Sequence, residues 1–145
     1  MSELRTQRDE IGEAVGAAEV ALSHLYKAHD MLKSAGNWGV VDILGGGMLT
    51  TFVKHNKMDN ARNELQMAKN ALQDFSRELR DLDRVVDISC GDDFMDFADY
   101  FFDGAMADFL VQSRISDTRR RVEDAIVQVE RVHNELLDLE ERSGY

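Results

Sequence analysis

The sequence contains no proline, so the commonest interruption of a helix is missing from all 145 residues. Cysteine occurs once, at Cys90, which excludes an intramolecular disulfide and a thiolate zinc cluster within one chain, and predicts a reducing compartment. Basic residues are outnumbered, 17 Lys and Arg against 28 Asp and Glu, for a formal net charge of −11. Such a surface repels phosphate backbones and anionic lipid, so neither nucleic acid nor a membrane is an expected partner. The first residues, Met1-Ser2-Glu3-Leu4-Arg5, lack the apolar stretch of a signal peptide and predict a cytoplasmic protein. A chain of this length suits one domain, residues 1–145, around one core.

What is present is helical periodicity. Leu4, Ile11, Val15, Ala18, Leu22, Leu25 and Leu32 recur in steps of three and four once the polar Arg8 and His29 are counted into the row. A second row runs Met58, Ala61, Leu65, Ala68, Leu72, Phe75, Leu79, Leu82, Val86 without a polar member. A third joins Ile115, Val122, Ile126, Val129 and Leu136, with Arg119 and His133 filling the intervening places. The fold class is therefore all-α, a coiled-coil-like antiparallel bundle of three long helices with heptad seams, running up, down and up, plus short helical segments. Ala14, Ala17, Ala18, Ala21, Ala61, Ala68 and Ala71 suit close helix approach, and the Gly12-x-x-x-Gly16 spacing would allow it locally.

Two segments depart from this pattern. Residues 36–53 (GNWGVVDILGGGMLTTFV) hold five glycines and the single charge of Asp42. They are too short and glycine-rich for a good membrane span. Gly36-Asn37 reads as the stop of the first helix, and Gly45-Gly46-Gly47 as a bend before the second. Residues 92–110 (DDFMDFADYFFDGAMADFL) place Asp92, Asp96, Asp99 and Asp103 on one helical stripe, with Phe94, Phe97, Ala98, Phe101, Phe102 and Ala105 opposite. Gly91 and Gly104 punctuate this amphipathic helix.

Chemistry is sparse. The aspartate stripe has the spacing to hold a hard cation, but it lacks a calcium-loop pattern and reads more simply as a solvated face. The triple glycine has neither Walker spacing nor a following Lys-Ser/Thr pair, so packing is the better reading. Arg119, Arg120 and Arg121 with Arg114 form the dense basic cluster, offset by Glu123 and Asp124 four residues after Arg119 and Arg120. Glu130-x-x-His133 has the spacing that di-metal helical bundles use, yet no second copy accompanies it. In an up-down-up bundle His29, His55 and His133 fall towards one end. With Glu130 they make a conceivable mononuclear site for a divalent transition metal, zinc, iron or manganese. No other cofactor is expected, and satisfied histidines are the commoner explanation. Cys90 has no histidine near it in sequence, and no serine elbow or kinase signature is present.

Trp38 to Met48 (WGVVDILGGGM), Lys54 to Asp59 (KHNKMD) and Phe97 to Asp103 (FADYFFD) resemble stretches in a bacterial family of uncharacterised all-helical proteins. The resemblance implies a helical fold and carries over no catalytic residue. Trp38-Gly39 between helices is also similar to the Trp-x-Gly turn of small secreted helical hairpins, although the two residues are adjacent here and a third long helix follows.

The function expected from these features is that of a non-enzymatic interaction or scaffold protein, a homodimer with a protein partner as a further option. In an antiparallel twofold dimer, residues 38–52 of one copy, with Trp38 and Phe52, would lie against residues 94–109 of the other, with Phe94, Phe97 and Phe101. The rival is an intramolecular fold-back of these segments along the bundle, which needs no partner. The alternatives are a metal-binding helical-bundle enzyme and a peripheral membrane or secretion-related helical protein.

Overall fold

The computed structural model describes residues 2–45, 48–84, 86, 91–100 and 115–143, with side chains over 7–33, 59–84, 86, 94–99 and 118–142. These residues form four helices, α1 (Ser2–Gly45), α2 (Met48–Asp83), α3 (Gly91–Tyr100) and α4 (Ile115–Ser143). Their interiors are rich in alanine, leucine, glutamate and arginine, which lose little on entering a helix. The long helices have 44, 36 and 29 residues. At the usual rise they are about 66, 54 and 43 Å long.

The first helix does not stop at Gly36-Asn37, as its sequence suggested, but continues to Gly45. A glycine inside a helix loses only about 1 kcal/mol relative to alanine, and no proline forces a break. The gap between α1 and α2 falls instead at the triple glycine. α2 ends at Asp83, with Arg80 in its last turn facing the negative end of the helix dipole. Just beyond, the Val86 amide donates to the Leu82 carbonyl at 2.9 Å, which holds the emerging chain against the core.

The cross-helix contacts set the directions. Glu10 and Glu13 meet Glu78, and His24 meets Glu64, so α1 and α2 are antiparallel. Glu19 meets His133, Tyr26 meets Glu130 and His29 meets Glu123, so α1 and α4 are antiparallel as well. α2 and α4 therefore run in the same direction. This corrects the up-down-up order expected for three helices, in which the last helix would parallel the first. The chain has to recross the bundle between α2 and α4, and α3 packs against both of them while α1 lies against both from the other side.

The core follows heptads on all three long helices. On α1 the buried row is Ile11, Ala14, Ala18, Ala21, Leu25, Ala28 and Leu32, flanked by Val15 and Leu22. On α2 it is Ala61, Leu65, Ala68, Leu72, Phe75, Leu79 and Leu82, all within the row read from the sequence. On α4 it is Thr118, Val122, Ala125, Val129, Val132 and Leu136. The expected α1 and α4 rows were thus right every seventh residue and one residue late in between. Ala28 holds the place given to His29, and Thr118, Ala125 and Val132 hold those given to Arg119, Ile126 and His133. Small side chains on these rows let the helix backbones approach, which larger residues one place further round do not.

α3 adds a hydrophobic plug. Phe94 and Ala98 are buried and Phe97 partly so, while Asp96 and Asp99 on the opposite side are exposed. The rings of Phe94 and Phe75 meet edge to face with centroids 5.1 Å apart and planes at 61°. Such a pair contributes about 0.5–1.5 kcal/mol beyond the area it buries. Gly12 and Gly16, by contrast, are exposed, and a Cβ at either would meet nothing within 4 Å. Their spacing supports no close helix approach here.

Candidate functional site

The polar groups brought together by the fold lie along the two flanks of α1. On the α4 side, His29 Nε2 is 2.9 Å from Glu123 Oε1, His133 Nε2 is 3.4 Å from Glu19 Oε1, and the Tyr26 hydroxyl donates to Glu130. On the α2 side, His24 Nδ1 is 2.6 Å from Glu64 Oε1. Further towards the start of α1, Glu10, Glu13 and Glu78 offer carboxylate oxygens within 4.8 Å of one another. All of these sit one or more places outside the apolar rows, where a long side chain reaches across a helix boundary while its stem covers the seam.

Charge and burial leave clear marks on three of these groups. Burial raises the Glu78 carboxyl above its ordinary range, and the neighbouring charges of Glu13, Asp81 and Glu10 raise it further. The hydrogen bond from His29 holds the Glu123 carboxyl below that range against a smaller opposing effect of burial, with Arg119 and Arg120 also favouring the charged form. Arg119 lies 3.9 Å from Glu123, the helix-surface pair its spacing predicted. The Tyr26 hydroxyl is raised, first by its hydrogen bond to Glu130 and then by burial.

Of the four residues considered for a metal, His29 and His133 lie apart. His29 is level with Glu123, whereas His133 is level with Glu19, ten residues earlier on α1. At the helical rise this separates them by about 15 Å along the bundle. The reversed direction of α4 is the physical reason, because it carries His133 away from the end where His29 lies. Glu130 is engaged by Tyr26, and the side chain of His55 lies outside the described residues. Sequence reasoning missed the Glu10–Glu13–Glu78 cluster and the His24–Glu64 pair. Their signal was available in part, since Glu64 and Glu78 each precede a leucine of the α2 row by one residue and so belong to its flank.

The residues considered for self-association are divided by the fold. Phe94 is fully buried against Phe75 of its own chain, which removes it from any exposed surface, and Phe97 packs partly against the same core. The side chains of Trp38 and Phe52, and Phe101 as a whole, lie outside the described residues, as do Cys90 and Asp103. Asp96 and Asp99 are solvated. No described helix is long and apolar enough to cross a membrane.

The chain matches no protein-family model, no curated protein and no solved structure.

Proposed function

We propose that this chain is a non-enzymatic helical scaffold that self-associates through the end of its α1–α2 hairpin, residues 38–52. The supporting observation is one of length. α1 runs on to Gly45 and α2 begins at Met48, while α4 begins only at Ile115. Counting back from the His29–Glu123 contact, Ile115 is about level with Asn37. Among the described residues, the hairpin therefore continues for about two helical turns, ~12 Å, beyond the first residue of α4.

The composition of that extension supports the same reading. Residues 38–52 carry the single charge of Asp42. A helix apolar on all sides is stable when covered, and a twofold pairing of two such hairpin ends would cover both copies with one contact. The expected pairing with Phe94 of a second copy is replaced by this end-to-end pairing, because Phe94 already fills its own core.

Light scattering at micromolar concentration tests the proposal. The parent chain is expected to be a dimer, and Ile43→Asp or Leu44→Asp to be a monomer of unchanged helix content by circular dichroism. A parent that is monomeric throughout a dilution series, or an Ile43→Asp variant that remains dimeric, overturns it.

A further inference from the structure

We draw no further inference here: the strongest candidate, the cluster of Glu10, Glu13 and Glu78 across the α1–α2 seam, is a group of carboxylates beside which nothing in the structure points to a ligand.

Discussion

Along its α4 flank α1 meets carboxylates with donors, whereas along its α2 flank it meets them with both a donor and other carboxylates. Tyr26, His29 and His133 each face a glutamate across the α1–α4 boundary. Across the α1–α2 boundary, His24 faces Glu64, but Glu78 faces Glu10 and Glu13. The same helix is thus held by similar apolar rows on both sides and by opposite electrostatics at their edges. Burial contributes about 1.5–3 kcal/mol for each large apolar side chain, while an exposed polar pair contributes about 0–1 kcal/mol. The rows hold the bundle together, and the edges modulate its response to pH.

The largest test of that ranking is a charge placed on a row. Leu72→Asp, at a buried α2 position, is expected to destabilise the fold by on the order of 4 kcal/mol and abolish cooperative melting followed by circular dichroism. An unchanged melting temperature would show that the edges, and not the rows, hold α1 and α2 together. Phe94→Ala comes next, with an expected loss of about 3 kcal/mol from an emptied site against Phe75. A urea midpoint equal to that of the parent would place α3 outside the cooperative unit.

Smaller changes are expected to stabilise. The Ser76 hydroxyl is buried on α2 without a hydrogen-bond partner among the described residues. Ser76→Ala should therefore gain about 1 kcal/mol. Gly16→Ala, on the open face of α1, should gain about 0.5–1 kcal/mol through helix propensity alone. Thermal melts of the two single variants and their combination separate the effects, and a loss of stability in Gly16→Ala would reveal a contact on that face.

The finest test uses pH to set one flank against the other. Glu78 binds its proton more tightly in the folded protein than its ordinary value of 4.5. Its contribution is full below that value and is lost as pH rises through the raised folded value. Glu123 is shifted down from the same ordinary value, so its contribution is present above 4.5 and is lost as pH falls through the depressed folded value. Glu78→Gln should consequently be more stable than the parent at neutral pH and lose that advantage on acidification. Glu123→Gln should be less stable at neutral pH and converge with the parent in acid. Parallel pH profiles for the two variants would remove the proposed difference between the flanks.

Much of the fold was legible in the sequence because α2 reports its buried face without ambiguity, its alternating alanines, leucines and Phe75 having no competing row. On α1 and α4 two rows compete, one residue apart. Leu22 and Ile126 looked better than Ala21 and Ala125 by hydrophobicity; both alanines are fully buried, whereas Leu22 is buried on the flank of the row and Ile126 only partly so. That single-residue choice also drew His29 and His133 onto the seam, two members of the metal set that the structure places at different levels. The direction of α4 was not legible, because periodicity gives the face of a helix and carries no information about its sense. It depends on where the chain goes between α2 and α4. A fold-back along the bundle, which the length of α2 and the apolar segments at its two ends allowed, stood only as the rival of the dimer.

The shared direction of α2 and α4 also sorts electrical charge along the molecule's long axis. Glu78, Asp81 and Asp83 at the end of α2, and Glu135, Asp138, Glu140 and Glu141 at the end of α4, gather around Asp9, Glu10 and Glu13 near the start of α1. Lys27 and Lys33 of α1 instead share the opposite half with Arg119, Arg120 and Arg121. The bundle is thus an electric dipole. Near a positively charged surface in dilute salt it experiences a torque that turns its acidic pole forward. At about 0.1 M salt, screening over ~10 Å confines that alignment to molecules already close to the surface.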